Sequence, residues 1–391
     1  MAKRNKRVLI AGGGIGGLTA AVALGRRRIE TEVLERSSFA DETGAGIQLG
    51  PNATRGLGRL GALEVIRPSA FRPEAMWLFD GPSGRRLQAL PLGNEAEKYY
   101  GAPYLTTHRA DLHAGLRAVA ETLAPVKLTA GFDLVSAETQ DELVIARSAD
   151  GIEATGSCLI GADGLWSTVR KLVFPRYRLR FTGATAWRAL LPRNDLPAPF
   201  DAPVIGLWFG PATHVVHYPV QNGRSLNLVV ITEGGAAGEG WNQPADAMAL
   251  LSRLRSLAPD LRSLLERATG WKRWSLYRLA PLKSFSAGRI VLLGDAAHPV
   301  LPYLAQGAAL AIEDAVSLSQ SLEGSPDDLV TAFNRYESRR ARVARVQGLS
   351  RRYGWIYHVR GPVRLARNFV LGRRHEVLRD FDWLYGARGS E

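Results

Sequence analysis

The 391-residue chain holds a single cysteine, Cys158. One thiol excludes an internal disulfide and leaves no set from which a cysteine-built metal site could be assembled, so no metal is expected. Thiol scarcity of this kind accords with a reducing compartment, and the cytoplasm is the expected location. No apolar run reaches the ~20 residues that a helix needs to cross a bilayer. Internal repeats and low-complexity tracts are absent as well. Acidic residues are in deficit, 37 Asp+Glu against 50 Lys+Arg, for a formal net charge of +13. A field of that sign could serve nucleic acid, a membrane surface or small anions. No zinc-finger spacing or RNA-binding motif accompanies it, so neither nucleic acid nor a stable membrane contact is expected.

What is present describes a globular protein: 46% hydrophobic and 22% charged residues. The length exceeds what one core of roughly 250 to 300 residues accommodates, which predicts two domains. Basic residues concentrate late, in "RYESRRARVARVQGLSRR" (335–352), where Arg339, Arg340, Arg342, Arg345, Arg351 and Arg352 fall on one predicted helix. The expectation there is a solvated face, which could also build a homodimer interface. Near the start, Lys3, Arg4, Lys6 and Arg7 precede an apolar stretch ending at Ala21-Val22-Ala23, a pattern that imitates a signal peptide. That stretch has a better explanation.

"RVLIAGGGIGGLTAAVALGRRRIETEVLER" reads as strand, glycine-rich turn, helix and second strand. Gly12, Gly14 and Gly17 stand in the G-x-G-x-x-G frame, and Glu35 closes the second strand. Gly12 permits the tight turn, Gly14 lets backbone approach a pyrophosphate, and Gly17 lets the helix pack on the strand. Glu35 can accept from a ribose hydroxyl, and the pyrophosphate sits on the helix N-terminus. Parallel-type strand signals return at "CLIGADG" (158–164) and "RIVLLGD" (289–295), while 181–276, rich in Trp, Val and Thr with turns such as "VQNGRS", reads as antiparallel sheet. Helices follow from about 326, the last of them near 363–372.

Two further motifs narrow the reading. "CLIGADGLWSTVR" (158–170) resembles the Asp-Gly motif of the single-component FAD-dependent aromatic hydroxylases, and "GDAAHPVLPYLAQG" (294–307) resembles their Gly-Asp motif. "GAGIQLGPNA" (44–53), "HRADLH" (108–113), "GATAWRAL" (183–190) and "DWLYG" (382–386) extend the similarity end to end, toward the salicylate hydroxylase, 6-hydroxynicotinate 3-monooxygenase and 3-hydroxybenzoate 6-hydroxylase types. The resemblance implies an α/β fold: a Rossmann-like FAD-binding domain with an inserted antiparallel β-sheet substrate domain and a C-terminal helical segment. The expected division is 1–75, 101–180 and 277–334 for the FAD domain, 76–100 and 181–276 for the substrate domain, and 335–391 for the helical segment.

It also implies non-covalent FAD, NADH or NADPH as co-substrate, and O2 with an aromatic acid as the other partners, oxygen passing to the ring from a flavin C4a-hydroperoxide. Cofactor contacts carried over are Gly12, Gly14, Gly17, Glu35, Arg36, Gln48, Arg109, Asp163, Gly294, Asp295, Gln306, Gly307 and Ala308. Asp295 would accept from the ribityl chain, and Pro299 to Pro302 would wall the flavin ring. Blander readings stand beside these: Asp295 or Asp163 as turn and cap residues, His298 as a shaper of the turn before Pro299, and Arg109 as a surface ion pair.

In "THVVHYPV" (213–220) side chains alternate faces, so His214, Val216 and Tyr218 share one, in two steps of about 7 Å each. The same spacing faces the substrate in the hydroxybenzoate and hydroxynicotinate members. That resemblance makes His214, Tyr218 and Pro302 the candidate catalytic residues, with His214, ordinarily titrating near ~6.5, as base for a phenolic proton. A core histidine and tyrosine is the plainer alternative. Trp187 and Arg188 could reach the same pocket. Pro302 stands where some 3-hydroxybenzoate enzymes have glutamine, which leans toward the salicylate and hydroxynicotinate types. A flavin reductase or dehydrogenase on this fold, a quinone-pathway hydroxylase at a membrane and a non-enzymatic nucleotide sensor remain alternatives.

Overall fold

The apolar run Val8–Ala11 is buried along its whole length because parallel strands flank it on both sides. The structure, a computed structural model, describes residues 7–39, 44–240, 243–325, 327–374 and 377–386. Among these, six strands form one sheet in the order 286–287, 290–292, 158–161, 8–11, 31–35 and 126–130. All pairs are parallel except the short hairpin 286–287 with 290–292. From the central strand the chain moves to one side for 31–35 and later returns to the other for 158–161 and 290–292. That reversal opens a crevice at the strands' carboxyl ends, where open α/β sheets bind ligands. Gly12, Asp163 and Gly294-Asp295, each just past such an end, are thereby brought together. Cys158 is buried in this sheet, which pushes its thiol up to about 12 and makes it a packing residue.

A second sheet of eight strands lies across the crevice. Its order is 243–244, 272–278, 180–192, 225–233, 213–220, 204–210, 75–80 and 86–91, antiparallel except where 204–210 pairs with 75–80. Strand 213–220 is central, with His214 opposite Phe209 and Ile231, and Tyr218 opposite Asn227. Gln221 and Asn222, both at positive φ, turn it back into 225–233 as the "VQNGRS" run predicts. The far face carries an aromatic core in which Trp208 stacks on Phe79 at 4.0 Å between ring centroids. His217 and Trp187 belong to that core. So the alternation separates Trp187 from Arg188: only the latter reaches the crevice. The meander 134–140, 143–148 and 153–156 carries weak sequence signals because much of it is exposed.

The basic segment departs from expectation. Helices Leu329–Arg339 and Val343–His358 replace the single predicted one, and the face is not uniformly solvated. Arg340 is buried, 2.9 Å from Glu313 and 2.5 Å from Asp314, and Arg342 pairs with Glu313. Arg345 lies over the Trp383 ring, while Arg339, Arg351 and Arg352 are exposed. Two acids on helix Gly307–Glu323 drew these arginines inward. No helix among the described residues is long and apolar enough to cross a membrane.

Candidate active site

The glycine turn is shaped by contact. Gly12 sits at φ +102°, and a Cβ there would lie 2.6 Å from the Ala162 carbonyl oxygen. A Cβ on Gly17 would collide with the Gly12 carbonyl, whereas Gly14 has nothing within 4 Å and opens onto the crevice. Gly14 is also the N-cap of helix Ile15–Arg26 and offers no side chain, so the helix's first N–H groups are left for a ligand. Glu35 accepts from the Gly13 N–H at 2.6 Å and from Ser37 through its other oxygen. His113, outside the expected set, holds the turn from behind through Nε2 to the Gly13 carbonyl at 2.8 Å. Gly12→Ala is expected to abolish FAD loading of the purified protein, read from its visible absorbance. Normal loading would contradict this account of the turn.

Beyond the turn lies a cavity of about 330 Å³ between the two sheets. Of the expected residues, Gly14, Gln48, Arg109, Gly294, Asp295, Pro302, Gly307, Ala308, His214 and Tyr218 line it. Gly12, Gly17, Glu35, Arg36, Asp163 and Gln306 do not. Gly12 and Gly17 shape the turn, and Arg36 is exposed at the end of strand 31–35.

Two of these placements correct the expectation. The Asp163 carboxylate turns away from the cavity and caps helix Thr168–Val173, accepting from Ser167 Oγ at 2.5 Å and the Val169 N–H at 3.0 Å. Its neighbours Ala162, Gly164 and Leu165 meet the cavity instead. Gln306 is buried, and its side-chain oxygen accepts from Asn52 at 3.0 Å. What it leaves at the cavity is the uncapped N-terminus of helix Gly307–Glu323.

Asp295 is half-buried at the crevice. Burial raises its pKa, against the opposing pull of His298, Arg109 and Arg170. Behind it lies a network that sequence reasoning missed. The Asp314 carboxylate accepts from the Gly294 N–H at 2.8 Å and from His298 Nε2 at 2.6 Å, while Arg340 Nε stands 2.5 Å away, too far off axis for a hydrogen bond. Burial works to raise the Asp314 pKa, but His298 and Arg340 outweigh it and hold it at about 2. His298 therefore anchors the turn. Arg170, inside the quoted Asp-Gly motif, binds the carbonyls of Leu165, Asp295 and Ala296 and ties the two motifs together.

On the opposite wall, Arg188, His214, Val216, Tyr218, Val229 and Ile231 point into the cavity. Arg188 stacks over Trp274 at 5.1 Å. His214 is buried, and its Nδ1 is 2.8 Å from Nε2 of His358. Burial, then His358, lowers the His214 pKa well below the ordinary value, which corrects the expectation of an unperturbed base. Burial raises the Tyr218 pKa, so its hydroxyl stays protonated as a donor. A smaller apolar cavity of about 90 Å³ adjoins, sharing Gln48, His214, Val216 and Pro302.

The residues fit a flavin dinucleotide. Gly14 forms an open cradle, two uncapped helix N-termini face the crevice, and Asp295 is an acceptor placed beside one of them. This combination, facing a sheet that carries a histidine and an arginine, defines a flavin-dependent oxidoreductase with an adjoining substrate chamber.

Residues 5–346 match the model described as "FAD binding domain", and the chain belongs to that family. It is 37% identical to 3-hydroxybenzoate 6-hydroxylase 1 of Aquipseudomonas alcaligenes, over 99% of both chains. It is 33% identical to 6-hydroxynicotinate 3-monooxygenase of Bordetella bronchiseptica (strain ATCC BAA-588 / NCTC 13252 / RB50), over 90% of this chain and 92% of that one. A solved salicylate hydroxylase substrate complex superimposes with a TM-score of 0.82 at 24% identity, covering 98% of this chain and 96% of that one, a likeness of fold. The protein is an FAD-dependent aromatic monooxygenase, with NAD(P)H as the co-substrate usual in the family.

Proposed function

We propose that this chain, acting in the cytoplasm, hydroxylates a single-ring aromatic carboxylic acid that already bears a ring hydroxyl. The observation that carries the reading is the presence of His214 and Arg188 on one wall of the cavity that ends at Asp295 and the Gly307 helix. The relatives named above act on ring acids of that description. They favour a hydroxylase over a reductase or a sensor.

The chemistry that FAD supplies when bound is reduction by NAD(P)H and activation of O2. Gly14 and the N-terminus of helix Ile15–Arg26 would take its pyrophosphate, and Asp295 its ribityl hydroxyls. The N–H groups at Gly307 and Ala308 would favour negative charge on the ring, by ~0.3 to 2 kcal/mol. Arg188 would pair with the substrate carboxylate. His214 Nε2 would accept the phenolic proton, so that the ring carbon ortho or para to the oxygen becomes electron-rich. Tyr218 would donate to the substrate, and Pro299 to Pro302 would keep water out.

Arg188→Met is expected to raise KM for the ring acid by about 10- to 100-fold, since a charge-assisted pair contributes ~1.5 to 3 kcal/mol. An unchanged KM would remove Arg188 from substrate binding. The proposal as a whole is tested with purified, FAD-loaded protein, NADH and a panel of 3-hydroxybenzoate, salicylate and 6-hydroxynicotinate, recording oxygen uptake and product mass. Gain of one oxygen, or its replacement of the carboxyl group, is the expected result. Oxygen uptake that yields only hydrogen peroxide with every member would contradict it.

A further inference from the structure

His214 does not stand alone. Its Nδ1 lies 2.8 Å from His358 Nε2, and His358 Nδ1 lies 3.2 Å from Glu233 Oε1. The two rings are buried, while the Glu233 side chain is 52% exposed. One backbone residue fixes the set: the Ala212 N–H donates to the His358 carbonyl at 3.1 Å, and the Ala212 carbonyl accepts from the Glu233 N–H at 2.9 Å. Tyr303 and Tyr357 pack against the His214 ring, each with 5.3 Å between centroids, and close the space around it.

We propose that His214, His358 and Glu233 form a proton relay that carries the phenolic proton from the cavity to solvent. This rests on the reading of His214 as the substrate base. A carboxylate can only accept, so His358 holds its proton on Nδ1 and turns the Nε2 lone pair to His214. His214 then donates through Nδ1, which leaves its Nε2 as a bare acceptor for the cavity. When the substrate O–H breaks, its proton binds His214 Nε2, the Nδ1 proton passes to His358 Nε2, and the His358 Nδ1 proton passes to Glu233. Each ring gains one proton and loses one, so no buried cation accumulates. The relay thus removes the handicap of a base whose own pKa is depressed.

The polarity also depends on pH. His358 faces His214 from strand 213–220, Glu233 from strand 225–233, Tyr303 from the proline turn, and Arg360 and Arg367 from the segment beyond its own helix. Burial lowers its pKa, Glu233 opposes that, and the arginines reinforce it, so it is neutral at neutral pH. When acid protonates it, its Nε2–H donates to His214 and forces that ring's proton onto Nε2. The base is then lost.

The test uses FAD-loaded, oxidised protein without NADH, mixed in a stopped-flow with a nitro-substituted hydroxybenzoate whose phenolate absorbs visible light. A pH indicator reports proton release in parallel. In the wild-type protein the bound probe is expected to ionise and release one proton. In His358→Gln, which can still accept from His214 Nδ1 but cannot pass a proton on, and in the exposed Glu233→Gln, release should slow at least 10-fold. In both variants the acid limit of phenolate formation should also move to lower pH, because His358→Gln removes the ring whose protonation disables the base and Glu233→Gln removes the carboxylate that favours that protonation. A merely structural defect would not shift that limit, and Glu233→Asp should restore the rate in part. Wild-type rates and an unmoved limit in both variants overturn the relay while sparing His214 as base. A wild-type protein that fails to bind or to ionise the probe overturns the base reading and the relay with it.

Discussion

His214→Asn is expected to lower hydroxylation by about 10²- to 10⁴-fold, the usual contribution of a positioned general base. Asparagine can retain a polar contact toward His358 but has no nitrogen that accepts a proton. Binding of the ring acid, followed by its perturbation of the flavin spectrum, should change far less than turnover, because Arg188 and Tyr218 remain on the same wall. The bound ligand should stay a phenol at every pH below its own ionisation. Burial and His358 already lower the His214 pKa, so the wild-type base is neutral at neutral pH, and protonation of His358 sets its acid limit. A variant that retains more than a tenth of the wild-type rate would remove His214 from the reaction.

The second large effect concerns stability. Arg340→Met leaves the buried Asp314 and the half-buried Glu313 without their shared cation, and breaking a buried pair in this way costs about 3 to 5 kcal/mol. Urea unfolding of the FAD-free protein reads it directly, and a loss below about 1 kcal/mol would contradict the network's role. FAD should also bind more weakly, since Asp314 holds the Gly294 N–H and His298 beneath Asp295. The pH dependence has a definite sign. Asp314 has a folded pKa of about 2 against an ordinary 3.8, so its contribution is complete above the ordinary value and is lost as pH falls through about 2. The variant should lack much of that acid-side slope.

Much of this fold was legible because its signals are local. Gly12, Gly14 and Gly17 with Glu35 mark a strand–turn–helix unit, and "GDAAHP" marks a strand end, all within short windows. Period-two alternation put His214 and Tyr218 on one face, and the structure keeps them there. What the sequence hid is long-range. Arg340 reads as one more surface arginine until helix Gly307–Glu323 brings Glu313 and Asp314 against it. His358 is a lone histidine 144 positions from its partner, with no spacing to announce it. The motif around Asp163 was recognisable, but the carboxylate's target was not, because a cap and a ligand contact draw on the same residue type. Recognising the segment therefore located the site without assigning the atom.

The central claim is that this chain directs one atom of molecular oxygen onto the ring of an aromatic hydroxy acid. The most direct measurement is turnover of the FAD-loaded protein with NADH and the best substrate of the panel under oxygen-18 gas, with the product analysed by mass. The account predicts one heavy oxygen in the new ring hydroxyl. A product that carries no label, or heavy oxygen recovered only in peroxide and water, would contradict it.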